Sequence, residues 1–179
     1  MPIGGLRRIG PTGWFYTAKR CSITEPMNFD EFTGDVQHRL ELPGTGETVR
    51  AIRATLVTLG QRLPEGAAAD LAASLPMEID WYLTGAVDEH GQRFDWREFV
   101  SRVSDIERTD ESEAAYHARV IVDFVRTQVP ASDFRELRDQ LPEDQSDENW
   151  AELFDVVDAG GWGDAEEAQT GGGPQPEGE

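Results

Sequence analysis

The chain has one cysteine, Cys21, in 179 residues. No internal disulfide can form, and neither a disulfide framework nor a thiolate zinc site can be assembled, which agrees with a reducing cytosol. Lysine is as scarce: Lys19 is the single one among 16 Lys+Arg, set against 35 Asp+Glu, for a net charge of −19. Such a surface repels DNA, RNA and anionic lipid, because each phosphate contact requires a cation. No apolar run approaches the roughly 18 residues of a membrane span. Glycine-rich phosphate loops, His-Glu-x-x-His helices, nucleophile elbows and EF-hand spacings are all missing. Neither a cofactor nor a catalytic residue is therefore expected.

The acids have two readings. One is a binder of basic partners or a nucleic-acid mimic; the other is a proteome adapted to molar salt, where the Debye length falls to about 3 Å and like charges barely repel. The near absence of lysine and the even spread of acids favour the halophilic reading. Charge is uneven at one place only. Residues 1–26 hold four cations and one acid, so they carry +3 and the rest of the chain −22. Arg7-Arg8 resembles a twin-arginine signal, but IGPTGWFYTAKRC follows it where an apolar segment is required, so export is not expected. We expect translation to start at Met27, or residues 1–26 to be an unstructured leader. From Gly160 onward, Gly, Glu, Gln and Pro dominate and Trp162 is the one large apolar residue, a composition that predicts a disordered tail over 159–179.

What remains is helical and occurs twice. Val49, Ile52, Leu56, Leu59 and Leu63 step 3-4-3-4, one stripe along a helix; Ala115, Ala118, Val122, Val125 and Val129 repeat it 66 positions later. PEGAAADLAASLP follows the first stripe and PASDFRELRDQLP the second. A fixed internal period marks duplicated supersecondary units. Asn28-x-x-Glu31 has the form of a capping box before Phe29, Phe32, Val36 and Leu40; Asp95-x-x-Glu98 repeats it before Phe99, Val103 and Ile106. Thr45, and either Thr109 or Asp110, can cap the long second helix of each copy. Short third helices follow Pro64 and Pro130. Last helices are predicted around Ile79, Trp81, Tyr82 and Leu83, and around Trp150, Leu153, Phe154 and Val157. The linker TGAVDEHGQ is polar and turn-rich and divides the units, and its Asp88-Glu89-His90 reads as a solvated turn. We therefore expect an all-α single domain spanning 27–158, of two tandem three-to-four-helix units, 27–84 and 93–158.

Ile121 and Phe124 stand where the first copy has Thr55 and Thr58. That predicts a second long helix buried on several sides and touching both units, with the first touching mainly its own. A dimer interface is the alternative. Gly60, inside the first long helix, is either tolerated or marks the close approach of another helix. His38, with Asp35 and Glu41 three residues away on either side, is the one candidate metal set, and an exposed histidine among acids is the preferred reading. His117 reads as a lone residue without a partner. Arg53 and Arg119 recur at matching places and are candidate interaction residues, either for ion pairs between the units or for an anionic ligand.

The NFDEF start, RAIRATLVTLGQRL, the closing LAASLP and a second EFVSRV…HARVIVDFV…LRDQLP resemble the domain of unknown function 2267 family over about Met27 to Phe154. The resemblance implies a compact all-helical domain of two similar units. It brings neither an established activity nor assigned site residues. This chain departs from the pattern by DQSDEN after Pro142. Two function classes follow: a non-enzymatic interaction module, regulatory or stress-related, with an unknown protein partner; or a small-ligand binder or enzyme with a site at the junction near Arg53 and Arg119. A cytoplasmic monomer or weak homo-oligomer, binding neither nucleic acid nor membrane, fits either.

The −22 carried from Met27 onward sets a salt test. Self-repulsion should lower melting temperature and helicity in dilute buffer, and molar KCl should restore both. Circular dichroism in the two buffers measures this; equal melting would return the acids to a specific role.

Overall fold

The computed structural model describes residues 27–143 and 149–160, all helix and turn without a strand. The expectations for the leader, and for the tail after 160, lie outside the described residues. The helices are α1 (Phe29–Leu40), α2 (Thr45–Arg62), α3 (Glu65–Ala72), α4 (Met77–Leu83), α5 (Trp96–Glu107), α6 (Glu111–Gln128) and α7 (Ala131–Asp139). A 3-10 turn (Ala151–Phe154) then runs into the one-turn α8 (Asp155–Asp158).

Local chemistry sets the boundaries. At α1 the capping box is complete: Asn28 Oδ1 accepts from Glu31 N at 3.0 Å, and Glu31 Oε2 accepts from Asn28 N at 3.1 Å. At α5 it is half made. Asp95 Oδ1 takes the Glu98 N–H at 2.7 Å, but the Glu98 carboxylate turns to Arg102 one helical turn on. Asp110 caps α6 through the N–H groups of Ser112 and Glu113. Thr45 does not cap α2. Gly44 supplies the extended residue, and Thr45 is already helical with its hydroxyl on Gln37. Glu41 and Arg108 end α1 and α5 in the left-handed region, at φ 52° and 65°, and are the only non-glycines with positive φ among the described residues. Glycine is the ordinary occupant of that position.

Pro64 stops α2 and leaves the Gly60 carbonyl without its helical donor, since proline has no N–H. His90 supplies the donor: its Nδ1 lies 2.8 Å from Gly60 O. Gly91 N and Gln92 N likewise donate to the carbonyls of Leu63 and Gln61. The linker, whose Asp88-Glu89-His90 reads as a solvated turn, therefore docks on the end of α2 and satisfies it.

The core is continuous across both halves. The expected division of labour between the long helices holds for α6, which packs on α1 and α2 as well as on its own half, and fails for α2. α2 packs on α1 and α4 of its own half but also on α6, and most extensively on α5. Its small residues explain this. Ala51, Ala54, Thr55, Thr58 and Gly60 are all buried, so neighbours approach α2 on nearly every side. Thr58 returns its hydroxyl to Ala54 O at 2.8 Å, which lets a polar residue sit in that interior. At Gly60 a β-carbon would collide with the Leu83 carbonyl and lie 2.8 Å from Val87 Cγ2. Of the two expectations for Gly60, close approach is the one realised.

α6 is buried broadly through Val120, Ile121, Val122, Phe124 and Val125, inside this one chain rather than on a dimer face. Phe32 of α1 meets Phe124 with ring centroids 4.9 Å apart. Trp150, fully buried, is met edge-on by Phe99 at 5.2 Å and Trp96 at 6.1 Å, with Phe94 tilted against it at 6.1 Å. The turn α8 is clasped by Arg138, which bonds Glu143 and Asp158. This hydrogen bonding holds the Asp158 carboxyl below its usual range.

Substitutions in α2 measure this packing. Leu59→Ala, at a fully buried site, should cost about 2–5 kcal/mol. Gly60→Ala, favourable by about 1 kcal/mol in an open helix, should instead destabilise by about 1–3 kcal/mol, because a backbone carbonyl blocks the added methyl. Phe124→Ala should cost about 3–5 kcal/mol. Denaturant unfolding should show one transition for each. Two transitions, or a stabilising Gly60→Ala, would contradict the packing.

Candidate functional site

The residues singled out in the sequence are not gathered into one place. Arg53 is exposed on α2, and has no ion-pair partner among the described residues. Arg119 is committed: its Nε donates to Glu152 O at 2.8 Å and its Nη2 lies 3.0 Å from Glu152 Oε2. Its guanidinium also covers Trp96, 5.6 Å from the ring centroid. Arg119 and Glu152 face an open cleft of about 400 Å³ that Arg53 does not line. The Arg119 pair joins α6 to the 3-10 turn, within the C-terminal half. A link between the halves comes from groups the sequence reading passed over. Asp123, 1% exposed, takes Arg39 of α1 at 3.5 Å and Arg126 at 2.9 Å.

Asp35, His38 and Glu41 do not make a metal set. Glu41 leaves the helix in the left-handed conformation, and among the described residues no three His, Cys, Asp or Glu side chains are grouped to hold an ion. His117, expected to stand alone, is paired. Its Nδ1 hydrogen-bonds Glu107 Oε1, and both residues are buried. The missed signal was in the α5 stripe. Continuing Phe99 and Val103 by four residues reaches Glu107, whereas Ile106, assigned to the inner face, is 37% exposed.

The surface feature that stands apart is α4. Its seven residues split into two faces at spacing i, i+4. Ile79 and Leu83 are fully buried, whereas Met77 is 77% and Trp81 59% exposed. The Trp81 indole lies over Gly85 so closely that any β-carbon there would enter the ring. The aromatic plane is thus seated by the backbone that follows α4. Two shallow depressions meet at Met77 and Glu78. One, of about 430 Å³, is walled by Trp81 and Tyr82. The other, of about 740 Å³, is walled by Met27, Phe29 and Leu75 and edged by Asp30 and Glu31. Asp30, Glu31 and Glu78 are exposed, so the apolar strip is ringed by carboxylates. From sequence, Trp81 was grouped with Ile79 and Leu83, because a seven-residue helix is too short for its two apolar faces to be told apart.

No helix among the described residues is long and apolar enough to cross a membrane. A search of the curated proteins finds no match to the chain. The model of a family described as "Uncharacterized conserved protein (DUF2267)" matches residues 29–147, two-thirds of the sequence and, among the described residues, seven of the eight α-helices in full. An all-helical chain that meets this model over that length belongs to the DUF2267 family.

Proposed function

We propose that the protein is a non-enzymatic interaction module that docks a protein segment on the outer face of α4. The observation that carries this is the pair Met77 and Trp81, exposed one helical turn apart, with the indole seated on Gly85 and carboxylates around it. Tryptophan supplies a large apolar area at small entropic cost and dominates many interfaces. The ring of Asp30, Glu31 and Glu78 selects a partner whose apolar anchor is flanked by lysine or arginine, and steers its approach. A partner carrying phosphates is disfavoured by the same charge.

The reading includes the duplication as the origin of the scaffold. Its support is the match between caps Asn28 and Asp95, between the left-handed ends Glu41 and Arg108, and between the 18-residue α2 and α6. It also includes a domain over 27–158, a cytoplasmic setting rich in salt, and a monomer or weak homo-oligomer. The second reading, a small-ligand or catalytic site near Arg53 and Arg119, has less support, since Arg119 already holds Glu152 and Arg53 stands apart from that cleft.

A fluorescein-labelled peptide with a central leucine or phenylalanine between arginines tests the proposal by anisotropy. Trp81→Ala should leave melting nearly unchanged, as exposed substitutions alter stability by about 0.5 kcal/mol or less. It should weaken peptide binding by about 2 kcal/mol or more. Gly85→Ala should act in the same direction by displacing the indole. Equal binding by wild type and Trp81→Ala, or a Trp81→Ala effect confined to self-association, would refute the docking role.

A further inference from the structure

The pair Glu107–His117 is more than a fastening between α5 and α6. Glu107 is 6% and His117 8% exposed, yet both face a cleft of about 470 Å³ between the end of α1, the start of α2 and the α5–α6 turn. His117 Nδ1 occupies Glu107 Oε1, whereas Glu107 Oε2 is buried without a hydrogen-bond partner. A buried carboxylate oxygen left unpaired is costly and calls for a donor.

The helix hairpin does not need this pair. In the register of the sequence repeat, 67 positions for the first helices and 66 for the second, Glu107 matches Leu40 and His117 matches Ala51. Leu40 and Ala51 are buried too, so the first hairpin fills the same two positions with apolar side chains. Replacing a buried ion pair by well-packed apolar groups is often neutral or stabilising, so stability does not account for Glu107 and His117. A second peculiarity falls in the same place. Glu41 and Arg108, the two described non-glycines in the left-handed conformation, both line this cleft. Strained backbone of this kind collects at functional sites.

The charges define the ligand. Arg50 and Arg108 are exposed at the rim, whereas the carboxylate is at the buried end. Glu41, Glu47 and Glu113 add three more carboxylates around the opening, and Tyr116, 46% exposed, offers a ring face beside His117. The net charge of −19 draws cations toward any such recess. We propose that this cleft binds a small organic cation with N–H donors, a primary ammonium or a guanidinium, whose N–H takes Glu107 Oε2. Glu107 is the anchor; His117 holds the anchor's other oxygen and keeps it oriented; Tyr116 contacts the cation through its ring. The site is separate from α4 and does not depend on the docking role proposed for it.

The test uses the full chain at low ionic strength, following the His117 imidazole signals by NMR. These are told apart from His38 and His90 by their loss in His117→Asn. Butylammonium and methylguanidinium should each give a saturable shift. Tetramethylammonium, a cation without N–H, and acetate should give none. Glu107→Gln keeps the shape and the bond to His117 but removes the charge, and should weaken both probes by roughly tenfold or more. Glu107→Leu with His117→Ala, which copies Leu40 and Ala51, should keep helicity and melt at the same or a higher temperature. Followed through Tyr116, this variant should bind neither probe. The proposal is overturned by an absence of saturation, by equal response to tetramethylammonium, by a response to acetate, or by a Glu107→Gln affinity equal to that of wild type.

Discussion

Everything in this fold is arranged around the thinness of α2. A helix with Ala51, Ala54, Thr55, Thr58 and Gly60 on its surface admits neighbours on several sides at once. α1, α4, α5 and α6 all take places against it. Gly60 is the narrowest point. The end of α4 crosses there with the Leu83 carbonyl where a side chain would be, and that position turns Met77 and Trp81 outward. The same α4 contact that closes the core thus leaves an aromatic strip on the surface. Pro64 and His90 complete the arrangement: one ends α2, and the other satisfies the carbonyl that this ending orphans.

Much of this is legible in the sequence. The 3-4-3-4 stripes locate α2 and α6, the Asn28 and Asp95 signatures locate the starts of α1 and α5, and Leu-Pro closes the third helices. The failures of the sequence reading are physical. Read by apolar bulk alone, Ile121 and Phe124 make α6 the centre and the threonines of α2 peripheral. Burial of a helix by close approach is written in small residues, which a hydrophobic stripe does not register. Glu107 was missed for a related reason. A carboxylate at the next stripe position reads as the end of the buried face, and its neighbour Ile106 was chosen because it is apolar. The α4 face was hidden by length, since two i, i+4 pairs in seven residues look like one apolar segment.

Charge is handled differently inside and outside. Over the sequence, acids outnumber bases by 35 to 16. Inside, the few ionised groups are closely placed. Asp123 is shared between Arg39 and Arg126 and joins α1 to α6, while Arg62, 6% exposed, donates to Phe94 O at 3.3 Å. Arginine suits these places because its planar guanidinium stacks as it bonds: Arg39 lies over Phe124 and Arg138 over Phe154. Glu107 is the exception, with one oxygen bonded and the other buried without a partner.

The central claim is that α2 is the common axis of one cooperative domain and not the spine of an N-terminal unit alone. Native-state hydrogen exchange in low denaturant tests it most directly. The slowest amides of α2, α5 and α6 should exchange through one opening, with the same free energy and the same denaturant dependence. If α2 and α4 opened together at lower free energy while α5 and α6 stayed protected, the halves would be separate units and the claim would be contradicted.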